Sequence, residues 1–264
     1  GGCDGCLNLV SHQENKGLLP SVETLAPIVA ELESQALGFS RADIWALAAL
    51  VAADVSQTQL VFSNAFVPGR KNCETVGTCL QSASRNCATN GPDKLSDYPT
   101  TVLTTHELIN FMNSHFGFST DETVALMGAH TLGKALPENS GYEGRNGWVT
   151  DPFTLNNEYY RLLTGSPNLV DNAPNWNQVQ LANGLVQWNR NDGSPPKQMF
   201  MLNVDVALVR DLHGQGFFTR CKFNSPNRCP LADTLTKTGQ YRNNNSLWLS
   251  DFKNVLVRML SKGI

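Results

Sequence analysis

Charge is sparse in this chain and nowhere concentrated. Charged residues make up 16% of its 264 residues, the net charge is −3 and the sequence pI is near 6.0. No run of Lys and Arg occurs, so the electrostatic footprint of a nucleic-acid binder is missing. Long apolar runs are missing as well. The longest, Ile44–Ala53, is bounded by Asp43 and Asp54. It falls well short of the ~20 residues that a helix needs to cross a bilayer, and reads instead as a buried helix. G-x-S-x-G and H-E-x-x-H are both absent, which removes the common signatures of serine hydrolases and zinc proteases. Cys3 and Cys6 form a C-x-x-C pair, but no second pair and no His pair completes a tetrahedral zinc site. Internal repeats and linkers are also lacking.

What is present describes a globular protein. A hydrophobic content of 41% in 264 residues is enough for a large core, in one domain or in two lobes. Seven cysteines, at positions 3, 6, 73, 79, 87, 221 and 229, lie in loop-like sequence of low charge and point to disulfides and an oxidising compartment. Their odd number leaves one free or paired outside the chain. Asn244-Asn245-Ser246 is an acceptor sequon, consistent with a secreted glycoprotein. No signal peptide is visible, so it was removed from a mature chain or these residues are not the start of the precursor.

Periodicity predicts helices over most of the chain. Val22 to Gln35 carries Leu25, Ile28, Val29 and Leu32 inward, with Pro27 near its first turn. Arg41 to Val55 follows with Ser40 as cap, then Thr105 to Phe116, Asn156 to Leu163, Phe200 to Leu212, and Asn243 to Leu260 with Leu247, Phe252, Val255, Leu256 and Leu260 inward. Val61 to Pro99, Asn172 to Pro196 and Gly214 to Asp233 read as irregular, the last with a candidate Cys221–Cys229 bridge. The lobe boundary falls near residues 95 to 104, giving lobes of 1–99 and 100–264.

The most informative stretch is Ser119 to Ala135. Ser119 and Glu122 form a capping box, Asp121 and Glu122 sit in the first turn, and Val124, Leu126 and Met127 give the helix an apolar side until Gly133 stops it. Leu126 and Met127 lie four and three residues before His130, so the imidazole leaves the helix toward the interior. A neutral imidazole there can bind a metal; by itself it is more often a core residue bonded to a carbonyl.

The run VALMGAHTLGKA, followed by SGYEG from Ser140, by Trp148 and by NNEYY, resembles the proximal half of the plant, fungal and bacterial haem peroxidase superfamily. The likeness is nearest to its cytochrome c peroxidase and ascorbate peroxidase branch and extends over nearly the whole chain. It implies an all-α, two-lobed fold with haem b between a distal and a proximal lobe. In that family the motif's histidine, here His130, is the axial ligand of the iron. Asp205, in MLNVDVALVRD, matches the buried aspartate that accepts its other ring N–H, and Trp148 matches the tryptophan beside the imidazole. Asn15, in Asn15-Lys16-Gly17-Leu18, matches the asparagine that supports the distal histidine, and Gly69-Arg70 matches the family's Gly-Arg. GGCDGC resembles the loop of a structural calcium site, with Gly2 and Asp4 as donors and Cys6 where a serine ligand is usual. Thr131, Asp151 and Asn156 fall on positions that bind a proximal cation in relatives, with Val149 replacing a threonine.

The family's distal histidine and arginine precede the loop that GGCDGC resembles, and His12, His106, His115 and His213 have no matching context. The resemblance leaves three explanations: a separate, disulfide-linked N-terminal peptide, a segment outside the determined sequence, or loss of the peroxide chemistry. Asn139 and Leu136 stand where ascorbate-type relatives have the substrate arginine and a second histidine, which disfavours ascorbate. The implied function is a secreted haem peroxidase, reducing hydrogen peroxide and oxidising a small organic donor in one-electron steps. Its rival is an extracellular haem-binding or structural protein without that activity.

Overall fold

The computed structural model describes residues 3–7, 15–35, 37–73, 100–165, 176–190, 199–212, 229–262 and 264. Expectations resting on Gly2, His12, Cys79, Cys87, His213 and Cys221 lie outside them. The chain divides into two compact units, Gly1–Tyr98 with Leu256–Ile264, and Pro99–Val255.

The first unit is built on α1 (Leu19–Ser34) and α2 (Arg41–Val55). Helix α1 starts earlier than its periodicity suggests because Pro20 is accepted in the first turn. It buries Val22 and Val29, whereas Ile28 is exposed. Ser40 caps α2 as expected: Asp43 N–H donates to Ser40 Oγ at 3.0 Å and Ser40 N–H to Asp43 Oδ2 at 3.4 Å. The apolar run on α2 is only partly buried: Ala42, Ile44, Ala46, Leu50 and Ala53 face the core, while Val51 is 42% exposed. Asp43 is 1% exposed and meets Arg70, whose Nη1 lies 3.0 Å from its Oδ1. Gly69 N–H and Arg70 N–H also donate to Asp43, at 3.2 and 3.1 Å. Burial pushes the Asp43 carboxyl up, but these donors more than offset it and hold it below the usual carboxylate value. The rest of the guanidinium caps the terminal helix, Nε and Nη2 donating to Leu260 O at 2.9 and 2.8 Å. Cys6 and Cys73 form a disulfide, and Cys73 N–H donates to Asp4 O at 2.8 Å.

The second unit holds α3 (Thr105–Phe116), α4 (Thr120–Met127), a 3₁₀ turn (Gly128–Thr131), α5 (Pro137–Ser140), α6 (Glu158–Thr164), α7 (Asn203–Val206), α8 (Leu235–Asn243) and most of α9 (Asn245–Leu260). It also contains β1 (Trp176–Gln180), β2 (Val186–Arg190) and β3 (Phe200–Met201), an antiparallel sheet in the order β1-β2-β3, with Trp176 opposite Arg190 and Trp188 opposite Met201. The expectation of an all-α fold is therefore corrected: the protein is mostly helical with one small sheet. WNQVQ and VQWNR carry strand-forming Trp and Val, and Asn183-Gly184 turns the chain between them with Gly184 at φ 87°. Phe200 to Leu212 is shorter in helix than expected for the same reason, since its first residues pair with β2.

Helix α9 buries Trp248, Leu249, Phe252 and Val255, and Leu247 is exposed. Asn244 Oδ1 accepts from Leu247 N–H at 3.0 Å, so the sequon asparagine caps the helix. No helix among the described residues is long and apolar enough to cross a membrane.

Gly128 allows this core to close. A Cβ built there would collide with Trp248 Nε1 and with Tyr160 OH. Those two groups donate to the carbonyls of Ala125 and Val124, at 3.1 and 2.6 Å, in the last turn of α4. Gly128→Ala is expected to destabilise the protein by about 1–3 kcal/mol through overpacking, read as a lowered midpoint in urea; an unchanged midpoint would show that Trp248 and Tyr160 yield without cost.

Candidate functional site

The capping box that opens α4 is formed: Ser119 N–H donates to Glu122 Oε2 at 2.8 Å and Glu122 N–H to Ser119 Oγ at 3.2 Å. The α-helix ends at Met127, earlier than the expected Gly133, and tightens into the 3₁₀ turn that carries His130. Gly133, at φ 82°, then reverses the chain, and its N–H donates to Pro152 O at 2.9 Å. Gly147, at φ 80°, makes the neighbouring turn that presents Trp148; a Cβ there would meet Gly133 O at 2.6 Å.

Asp205 is the hub. It is fully buried, on the first turn of α7, and accepts four hydrogen bonds. His130 Nδ1–H and Tyr159 O–H donate to Oδ1, each at 2.7 Å. Trp148 Nε1–H and Leu202 N–H donate to Oδ2, at 2.8 and 2.7 Å. A carboxylate has acceptor sites for all four, so a charge that would be costly in the interior is fully solvated by protein.

The rings around it are packed as well as bonded. Trp148 stacks on His130 with centroids 4.4 Å apart and planes 16° from parallel, and Tyr159 stands edge-on to His130 at 6.0 Å. Phe200 backs Trp148 at 4.6 Å, occupying space that a side chain at Gly144 would fill. Nδ1–H is committed to Asp205, and Nε2 has no hydrogen-bond partner among the described residues. The His130 side chain is 28% exposed. The site thus offers one imidazole oriented from behind, with Nε2 as the ring nitrogen available to a ligand. Burial, together with the charge of Asp205, holds the Tyr159 phenol well above its usual value, so it stays a donor.

Three residues named from the sequence, His130, Trp148 and Asp205, are brought together. Tyr159 was not named, although it lies within the NNEYY segment that carried the resemblance. Its signal was helical phase: on α6 it precedes Leu163 by four residues, on the buried side.

The remaining candidates have partners or surroundings of their own. Asn15 belongs to the first unit, is 9% exposed, and accepts from Leu18 N–H through its carbonyl at 3.2 Å. Asp4 Oδ1 accepts from Cys6 N–H at 2.9 Å in a local turn. Thr131 Oγ1 is buried without a hydrogen-bond partner among the described residues. Asp151 is exposed and accepts from Phe153 N–H at 3.1 Å and Thr154 Oγ–H at 2.6 Å, while Asn156 Oδ1 accepts from Glu158 N–H at 2.8 Å. Among the described residues, no group of three or more His, Cys, Asp or Glu side chains is placed to hold a metal ion.

A family model described as Peroxidase matches residues 1–223. A mitochondrial cytochrome c peroxidase of Neurospora crassa is 25% identical over 253 residues, covering 96% of this chain and 55% of the relative. A protein of Oryza sativa named as a peroxisomal L-ascorbate peroxidase is 32% identical over 169 residues, 62% of this chain and 49% of the relative. A protein of Pyricularia oryzae named as a heme-binding peroxidase is 31% identical over 149 residues, 56% and 40% respectively. The chain spans about half the length of the curated relatives it matches. The compartments in these names overturn the expectation of secretion. Among the described residues Cys6, Cys73 and Cys229 are disulfide-bonded and Cys3 is free.

Proposed function

Because the chain belongs to the peroxidase family, we propose that it is a haem peroxidase whose iron is held by His130, reducing hydrogen peroxide and taking electrons one at a time from an organic donor. The observation that carries this reading is the buried carboxylate of Asp205 bonded at once to His130, Trp148 and Tyr159. An imidazole fixed through Nδ1 and open at Nε2 fits an axial ligand to haem iron.

When bound, haem supplies the redox-active iron that peroxide oxidises and donors return to rest. The chain's own residues do the positioning. Asp205 selects the His130 tautomer and sets how much negative charge reaches the imidazole. Tyr159 shares the same carboxylate oxygen and draws some of that charge toward its own O–H. Trp148 covers one face of the imidazole, excludes water from it, and is itself tied to Asp205 through Nε1. Asn15 is proposed to support peroxide-side chemistry through its side-chain amide.

The test is His130→Ala. The variant is expected to lose the Soret band given by haem-loaded wild type and to regain it with added imidazole; peroxide-driven oxidation of a simple phenol should be lost and regained in parallel. Full haem occupancy without imidazole would remove His130 as the ligand. Haem uptake by wild type with no phenol oxidation would favour haem binding without peroxidase activity.

A further inference from the structure

His130 stands at one end of a series of oxidisable rings. Tyr159 is edge-on to it; Tyr159 and Tyr160 are 5.0 Å apart between centroids, Tyr160 and Tyr241 5.3 Å, and Tyr160 and Trp248 5.8 Å. All four rings are fully buried, and all lie in the second unit. Core packing accounts for their burial. It does not account for the change in hydrogen-bond partner along the series.

Tyr160 O–H donates to the carbonyl of Val124, which cannot take up a proton. Tyr241 O–H donates instead to a carboxylate, Asp251 Oδ2, at 2.7 Å. The Asp251 side chain is 33% exposed and pairs with Lys237 at 3.1 Å, so a proton received there has a path to water. Lys237 Nζ lies 4.8 Å from the centroid of the Tyr241 ring and also reaches Asp121 at 3.5 Å. A cation over the ring opposes loss of an electron unless the phenolic proton leaves with it, and Asp251 is in place to receive that proton. Burial and the neighbouring Asp251 carboxylate also push the Tyr241 phenol far above its usual value, so it is protonated at rest.

We propose that Tyr159, Tyr160 and Tyr241 form a one-electron relay, making Tyr241 a second oxidation point remote from His130. The relay rests on the peroxidase reading, since its oxidant is hydrogen peroxide acting at the His130 site. The Tyr241 O–H bond breaks and the proton passes to Asp251, which becomes a carboxylic acid. The electron passes through the Tyr160 and Tyr159 rings to the site, and Tyr241 is left as a neutral phenoxyl radical. Peroxide takes up two electrons and two protons to become two waters, so one electron from Tyr241 is half a turnover. A donor arriving at the Asp251–Lys237 edge then restores Tyr241.

The experiment replaces haem with zinc protoporphyrin and withdraws one electron from the site by illumination with an external acceptor, without peroxide. The frozen sample is examined by electron paramagnetic resonance with ring-deuterated tyrosine; peroxide consumption by the haem-loaded protein is measured beside it. A tyrosyl signal is expected that is lost in Tyr241→Phe, lost at Tyr241 in Tyr160→Phe, and diminished in Asp251→Asn. In wild type its formation should slow in D₂O, a readout that survives if a variant fails to fold. Porphyrin uptake and peroxide consumption without this signal, or a signal unchanged in Tyr241→Phe, overturns the relay alone. The signal without peroxide consumption supports the electron path from Tyr241 but overturns the peroxidase reading and, with it, peroxide as the relay's oxidant. A protein that takes up no porphyrin overturns both.

Discussion

Asp205→Ala is expected to destabilise the second unit by at least about 4 kcal/mol, because it strands several buried donors at once. His130 Nδ1–H, Trp148 Nε1–H, Tyr159 O–H and Leu202 N–H all converge on this one carboxylate. An unsatisfied buried donor costs about 1–3 kcal/mol, and the four costs will add incompletely because the groups share a pocket. Asn at this position is no conservative change. Its oxygen can serve one pair of donors, but its NH₂ then faces the other pair. If haem is held as proposed, the same substitution should weaken its binding about 10–100-fold, as loss of a ligand's orienting partner does. Urea unfolding followed by tryptophan fluorescence tests the first claim and haem titration the second. An Asp205→Ala protein within about 1 kcal/mol of wild type would mean that the four donors find water or new partners.

Arg70→Ala is the second large effect, expected at about 3–5 kcal/mol for breaking a buried ion pair from one side. It leaves Asp43, 1% exposed, with its charge uncompensated and strips the guanidinium cap from Leu260 O. Asp43→Ala should cost a comparable amount, and the double variant clearly less than the sum, because the second substitution removes the charge that the first orphaned. The pair also gives a pH dependence of fixed sign. The Asp43 carboxyl is depressed in the folded protein, so its contribution is fully present above the unfolded value of about 3.9 and is lost as pH falls through the lower folded value. Wild type should therefore lose stability below about pH 4 more steeply than Asp43→Ala. Equal acid limbs in the two unfolding curves would show that the pair is neutral in the balance.

Much of this was legible in local sequence, and what was not has identifiable causes. Ser40 as a cap, and Ser119 with Glu122 as a capping box, announced two helix starts correctly because capping is a short-range device that no distant contact needs to complete. Helix Thr105–Phe116 was read to its ends, since Gly117 stops it at φ 68°. The hairpin of β1 and β2 was missed, its segment being read as irregular, although Asn183-Gly184 marked the turn between its strands. The exposure of Ile28 and Val51 could not be read at all: periodicity gives a face, and only tertiary packing decides which parts of that face are covered.

At the site, His130, Trp148 and Asp205 were named by resemblance, while the hydrogen bonds joining them span 57 and 75 residues of chain. No pattern in a single sequence encodes such a pairing. Tyr159 escaped because nothing in its neighbours distinguishes a core tyrosine from one aimed at a carboxylate. Secretion was inferred from cysteine number, a compositional signal that carries no information on which thiols are paired.

The short run from Met201 to Asp205 joins a sheet edge to a helix start in four steps. Met201 pairs with Trp188, Leu202 N–H closes on Asp205 Oδ2, and Asp205 carries the three site donors. Neither end can slide. Inserting or deleting one residue between them would turn the carboxylate roughly 100° around the helix axis, away from His130, Trp148 and Tyr159 together. Among natural homologues this stretch should therefore tolerate changes of letter while keeping its length, so that alignment gaps accumulate on either side of it and not within.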